Sequence, residues 1–251
     1  MGLSNNKIKY IQSLKEKKFR NKYNTFVAEG TKLVLDLLES CKCQLIAALP
    51  EVIYANPELR AEEIIEASPN ELKKATFLKT PPSIIAVFYR HDSEIDKSEI
   101  KNKLSLVLDG VQDPGNVGTI IRIADWFGIE HIICSEDCAD VYNPKTVQAT
   151  MGSIARVSVS YTDLTKLLSS LSDIPVYGTL LNGNNIYNEE LSENGLIIMG
   201  SEGKGISDEV LSYIDHKLYI PEFPAGVMTS ESLNVAVATA IVCSEFRRRK
   251  L

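Results

Sequence analysis

The spacing of apolar and polar positions divides the chain into two textures. In residues 1–103, helical spacing dominates. Lys7 to Lys18 reads as a basic helix with Ile8, Ile11 and Leu14 as its apolar stripe. Phe26-Val-Ala is a short strand, and Thr31 can cap a helix reaching about Glu39 on Leu33, Val34, Leu37 and Leu38. Leu45–Ala48 and Ile84–Phe88 are strand-like, while Pro57–Ala67 and Asn70–Ala75 are helix-like. The pattern predicts a small α/β domain over 23–92 behind a basic N-terminal helix or arm, 1–22. The charged, weakly periodic stretch 93–103 reads as a linker.

Residues 104–251 alternate short apolar runs with helical patterns. Leu104–Leu108, Ile132–Cys134, Val157–Val159, Val176–Leu180, Leu196–Met199 and Lys217–Ile220 are the strand candidates. Val117–Phe127, Lys145–Ile154, Leu164–Leu171, Asp208–Tyr213 and Ser232–Arg247 are the helices. Such alternation predicts an α/β domain with a mainly parallel sheet and helices on both faces.

Composition changes this picture in two places. The apolar share of 44% is that of an ordinary soluble protein. No apolar run approaches the ~18–20 residues of a membrane span, and the first residues lack a signal-peptide core, so a cytoplasmic protein is expected. The net charge is −6, yet it is unevenly spread. Lys7, Lys9, Lys15, Lys17, Lys18, Arg20 and Lys22 crowd the first residues against Glu16 alone. A basic arm on an acidic protein is a handle for a polyanion, nucleic acid foremost; a solvated helix face is the alternative. The 5 cysteines include no Cys-x-x-Cys pair. Cys134 and Cys138 near His131 could in principle meet a metal, but reduced, packed thiols fit the spacing better, and no metal is called for.

Candidate chemistry sits in three strand-to-helix turns. In Asp113-Pro-Gly-Asn-Val-Gly118, Asn116 stands at the expected helix N-cap, and Arg122 interrupts the apolar run Ile120–Ala124. A guanidinium buried there requires an anionic partner, either a structural carboxylate such as Asp125 or Asp109, or a ligand's phosphate. The turn Gly200-Ser-Glu-Gly-Lys-Gly205 is neither a P-loop nor a dinucleotide fingerprint, since Ile198, Gly205 and Asp208 occupy the positions those motifs need. Its glycines indicate tight turning or close approach to a ligand. In Thr229-Ser-Glu-Ser-Leu-Asn-Val235, Ser230 or Ser232 can cap the last helix, which leaves a surplus of side-chain oxygens for a ligand. The histidines (His91, His131, His216) lie outside all three turns, so positioning, hydrogen bonding and charge are expected to carry the chemistry.

These three segments resemble the motifs of the SpoU (TrmH) family of RNA ribose 2′-O-methyltransferases, in the family's order and across most of 104–246. The resemblance implies a SPOUT-type domain ending in a trefoil knot, with the first half similar to the family's substrate-binding domain. It implies S-adenosyl-L-methionine as cofactor, contacted at Gly200, Ile220 and Leu233, with Thr179, Leu180, Asn182 and Gly183 as a further wall and Gly203 in the glycine turn. Asn116, Arg122, Glu202, Ser232 and Asn234 match its catalytic and RNA-facing positions. Arg122 is the family's base by analogy, but a guanidinium is nearly always charged. A clamp on the neighbouring phosphate and developing alkoxide suits it better, with Glu202 orienting it. The resemblance further implies a homodimer, packed partly through the last helix, acting on RNA, with rRNA favoured over tRNA. A tRNA enzyme and a non-catalytic RNA-binding assembly factor are the alternatives. The stretch Pro221–Ser230 is longer than the family's usual turn.

Overall fold

A computed structural model describes residues 2–91, 95–171, 173–224 and 232–248. The chain forms two compact units, one comprising Met1–Asp92 with Asp140–Arg156, the other Ser93–Ala139 with Val157–Leu251.

The first unit opens with α1 (Asn5–Ser13) and α2 (Lys17–Tyr23). Sequence spacing suggests one helix here, but the structure breaks it at Leu14–Glu16. The carbonyls of Leu14 and Lys15, which a continuing helix would bond, instead accept hydrogen bonds from the Arg20 guanidinium at 2.8 and 2.7 Å. There follow β1 (Thr25–Glu29), α3 (Thr31–Leu38), β2 (Cys43–Ala48), α4 (Pro50–Ala55), β3 (Glu63–Glu66), α5 (Pro69–Ala75) and β4 (Ile84–Tyr89). The sheet order is β1-β4-β2-β3. Alternation of side chains gives it two cores. Phe26, Ala28, Ile46, Ile84 and Phe88 face the α3 residues Leu33, Val34 and Leu37. Val27, Leu45, Ala47, Ile85 and Val87 face Ile8, Ile11 and Leu14 together with Leu72 and Ala75 of α5. The N-terminal basic helix is therefore part of this core, with its charges on the outer side.

The helix expected over Pro57–Ala67 is not formed as such. Glu63–Glu66 pairs parallel to β2 as an edge strand. Ile65 is buried and Ile64 exposed, a period of two that a window dominated by glutamates conceals. The glutamates also guard the open edge against pairing with another chain.

In the second unit the segment read as a linker contains α6 (Lys97–Asn102), capped by Asp96 and anchored by buried Ile100. Then come β5 (Leu104–Asp109), α7 (Pro114–Trp126) and β6 (His131–Cys134). The chain next contributes α8 (Pro144–Thr150) to the first unit, where Val147 joins the core beside Phe26. It continues through β7 (Ser158–Tyr161), α9 (Leu164–Ser169), β8 (Val176–Asn185), β9 (Gly195–Gly200), α10 (Asp208–Leu211), β10 (His216–Tyr219) and α11 (Val235–Arg248). All pairings in this six-stranded sheet, ordered β10-β8-β9-β5-β6-β7, are parallel. From β5 the chain builds outward to β6 and β7, then returns to β8 and β9 on the other side. The order reverses between β5 and β9, which is where ligands bind in open parallel sheets. Among the described residues, no helix is long and apolar enough to cross a membrane.

Candidate active site

The site grows from the adjacent ends of β5 and β9, where Asp109 and Gly200 are register partners. Asp109 is buried, and its Oδ2 accepts a hydrogen bond from the Ser207 amide at 2.7 Å, which ties the two turns together. After Gly110, whose φ of 68° suits glycine, the chain enters α7. Here the sequence expectation needs correcting. The N-cap is Asp113, whose carboxylate accepts from the Asn116 amide at 3.0 Å. Pro114, with its φ preset, takes the first helical position, so the helix starts before Asn116 and leaves that side chain free to reach outward.

The turn after β9 closes on itself. Ser201 and Gly205 exchange both backbone hydrogen bonds, at 3.0 and 2.9 Å. A Cβ on Gly200 would lie 2.2 Å from the Gly205 carbonyl carbon, so only glycine permits this approach. The closed turn presents Glu202 to solvent. Its carboxylate accepts a hydrogen bond from the Asn116 side-chain amide. The Asn116 carbonyl oxygen accepts in turn from Asn234 Nδ2 at 3.1 Å. Asn234 Oδ1 accepts from the Ala236 and Val237 amides at 3.0 and 3.3 Å, so Asn234 rather than Ser232 caps α11, while Ser230 lies outside the described residues. Three turns distant in sequence thus meet in one directional chain, from the amides of α11 through two asparagines to a carboxylate.

The other expected residues fall around this chain. Ser232 is exposed and makes no hydrogen bond among the described residues. Arg122 is exposed as well and has no partner among the described residues. The apolar stripe of α7 is Val117, Ile120, Ile121 and Ala124, and Arg122 lies on the opposite face with Thr119 and Trp126. The expectation of a desolvated Arg122 is therefore corrected, and Glu202 holds Asn116 rather than the guanidinium.

Of the residues expected to hold a cofactor, Gly200 ends β9, Ile220 follows β10, and Thr179, Leu180, Asn182 and Gly183 lie within β8. β8 pairs with β10 at Tyr177 and Gly178 and again at Asn184 and Asn185, with a register shift between. Thr179, Leu180, Asn182 and Gly183 fall in the intervening span, where Leu181 is 71% exposed. Thr179 Oγ1 donates to the Ile198 carbonyl at 3.2 Å, and a Cβ on Gly183 would sit 2.7 Å from the Leu218 backbone. Gly203 is exposed, Ile220 half-buried and Leu233 exposed next to Asn234. Apolar side chains beside strand-end backbone groups form the kind of surface an adenosyl group takes. Residues 225–231, most of the long segment after Pro221, lie outside the described residues.

The basic cluster divides. Lys9, Lys15, Lys17, Lys18 and Lys22 are exposed, while Lys7 pairs with Glu63. Arg20 is not available to a ligand. It is 2% exposed, with Nη2 donating to Asp140 at 2.6 Å and Nη1 to the two carbonyls that end α1. Sequence reading missed the cap formed by Asp113 and offered Asp109 to Arg122 rather than to the Ser207 amide. The Asp-Pro pair was the available signal for the first; nothing local announces the bond from Asp109 to Ser207.

Residues 103–244 match the SpoU rRNA Methylase family, and residues 5–86 match the MRM3-like substrate binding domain. The 23S rRNA (guanosine(2553)-2′-O)-methyltransferase RlmP of Bacillus subtilis is 33% identical over 97% of this chain and 96% of its own. The 23S rRNA (guanosine-2′-O-)-methyltransferase RlmB of Blochmanniella floridana is 32% identical over 91% of this chain and 79% of its own. Among solved structures, a TrmH-family RNA methyltransferase from Porphyromonas gingivalis superimposes with a TM-score of 0.90 at 41% identity, covering 99% of this chain and 100% of its own. An AdoMet-bound rRNA methyltransferase from Sinorhizobium meliloti gives 0.86 at 28% identity, over 100% and 97%. The fold and the matched segments are those of an RNA methyltransferase. The chain belongs to the SpoU rRNA methylase family.

Proposed function

We propose that the protein transfers a methyl group from S-adenosyl-L-methionine to a ribose 2′-hydroxyl of RNA, and of rRNA rather than tRNA. The observation that carries this reading is the chain Glu202–Asn116–Asn234, assembled at the sheet's switch point beside the strand ends that offer an adenosyl surface. When bound, S-adenosyl-L-methionine supplies an electrophilic methyl on a sulfonium.

The chain's own residues do the positioning. Gly200, Gly203, Thr179–Gly183, Ile220 and Leu233 hold the donor. The Asn116 and Asn234 amides, fixed in orientation by their mutual bond, set the ribose against it, and Ser232 adds an RNA contact. Arg122, exposed and with no partner among the described residues, clamps the phosphate and the alkoxide as it develops. The solvent-facing position of Arg122, away from the bonded chain, supports a composite site in a homodimer, with α11 in the interface. Val237 and Trp126, 50% and 85% exposed, are apolar surface available for it. The same reading places a trefoil knot in the segment from β8 to α11, gives RNA capture to the first unit and its exposed lysines, and puts the protein in the cytoplasm.

The test is transfer of labelled methyl from S-adenosyl-L-methionine to unmodified rRNA and tRNA pools, with ribose methylation mapped. Label at one rRNA 2′-hydroxyl is expected; label in tRNA alone overturns the substrate, and no label in either, with donor bound, overturns the activity. Arg122→Ala is expected to abolish transfer while donor affinity, read by calorimetry, stays near wild type. Near-normal transfer would remove Arg122 from the mechanism.

A further inference from the structure

From α2 to the ends of β1, β2 and β4 runs a strip of aromatic rings in which Tyr23 is exposed, while Tyr10, Phe19 and Tyr89 are half-buried, the first two against the core of α1 and α5. Phe19 and Tyr23, one helical turn apart, are near-parallel, with planes 11° apart and centroids separated by 6.3 Å. Tyr10 meets Tyr23 edge-on at 5.2 Å. Its hydroxyl is held by Thr25 Oγ1 at 3.0 Å and donates to Gln44 Oε1 at 2.7 Å. Gln44 Nε2 donates to the Tyr89 hydroxyl at 3.3 Å, and that hydroxyl donates to Glu62 at 3.0 Å. Three of the four rings carry a lysine ammonium over the face: Lys18 on Phe19 at 5.0 Å, Lys22 on Tyr23 at 5.1 Å and Lys42 on Tyr89 at 5.0 Å.

Tyr10 and Phe19 serve the core on one side, but a solvated helix face has no use for the Tyr23 ring held between them at 40% exposure. Single-stranded nucleic acid needs both, because its bases are free to stack and its phosphates are spaced along the strand. The hydroxyl relay through Gln44 sets the Tyr10 and Tyr89 rings, and Tyr23 is held between Tyr10 and Phe19, so little side-chain entropy remains to be lost on binding. Lys18 and Lys22 already sit where a phosphate following a stacked base would displace them from the ring face, whereas Lys42 is paired with Glu62 at 2.7 Å.

We propose that Tyr23, flanked by Phe19, Tyr10 and Tyr89, forms the stacking platform for unpaired bases of the RNA substrate, with Lys18 and Lys22 taking the adjoining phosphates. This rests on the reading of the protein as an RNA enzyme and adds that its first unit captures single-stranded rather than duplex RNA.

The test compares binding of a labelled oligoadenylate of about 12 nucleotides with that of a blunt RNA duplex of equal length. Tyr23→Ala is expected to weaken oligoadenylate binding by roughly tenfold and leave duplex binding unchanged. Tyr23→Phe is expected to restore it; Tyr23→Leu, which keeps apolar area without a π face, is not. Lys18→Gln and Lys22→Gln should each flatten the salt dependence of oligoadenylate binding, by about 0.7 in log–log slope, whereas the Tyr23 variants leave that slope intact. Tyr23 is 40% exposed, and thermal melting reports whether each variant folds. Oligoadenylate affinity unchanged in Tyr23→Ala, or equal losses on strand and duplex, overturns the platform while leaving the proposed activity standing. A wild-type protein that binds neither RNA and transfers no methyl to RNA fails at the level of the activity itself.

Discussion

Asn116 works because a primary amide can donate and accept at once. It gives a hydrogen to Glu202 and takes one from Asn234, so two side chains from other turns are held in order by one residue. Asn116→Asp keeps the size and loses the donor, placing a second carboxylate against Glu202. The expected result is a fall in single-turnover methyl transfer of roughly 100-fold, the scale of a small misplacement at a reacting centre, with donor affinity near wild type. A rate close to wild type would show that the asparagine does not position the ribose. At this scale the sequence was informative about identity and poor about environment. Asn116, Glu202 and Asn234 could all be picked out from their motifs. That Arg122 faces solvent depends on which side of α7 meets the sheet, and an arginine amid isoleucines suggests the wrong side. The Asn116–Asn234 bond spans two turns far apart in sequence and has no local signature.

Elements were legible where one face decides them. The central strands β5, β6 and β9 are apolar runs bounded by polar turns and match the expected spans to within a residue, whereas β8 runs five residues beyond the expected Leu180, through polar positions to Asn185. β3 and α6 were not. In both, charged residues outnumber the single buried anchor, Ile65 or Ile100, and the period is carried by one position. Capping settles such short elements, and α9 shows how it can be measured. Asp163 accepts from the Thr165 hydroxyl and from the Thr165 and Lys166 amides, which hold its pKa at about 2 against an ordinary 3.8. A folded-state value below the unfolded one stabilises the fold when the group is ionised. The contribution is complete above about pH 4 and is lost as the pH falls towards 2. Asp163→Asn is therefore expected to lower the melting temperature at neutral pH, with the gap to wild type closing across that acidic window. A gap independent of pH would mean that the carboxylate's charge plays no part in the cap.

The molecule as a whole depends on a tie that neither half of the sequence reveals. Arg20, among the basic residues that look like an RNA handle, is buried against Asp140, 120 positions away. Removing one partner leaves the other charge stranded, along with two unpaired carbonyls. Arg20→Ala is expected to cost about 3 kcal/mol in denaturant unfolding, whereas truncating exposed Lys17 should cost little. Equal, small effects would place Arg20 with the surface lysines after all.

The same tie marks Asp140–Arg156 as the property of the first unit, although the chain reaches it only after β6. The simplest exchange of N-terminal halves between relatives is a single cut ahead of β5. In this protein such a graft would leave α8 and Asp140 matched to the wrong sheet and deprive the incoming half of Val147, Tyr142 and Ile154. A working chimera has to be made with two crossovers, moving the 140–156 loop together with the N-terminal half.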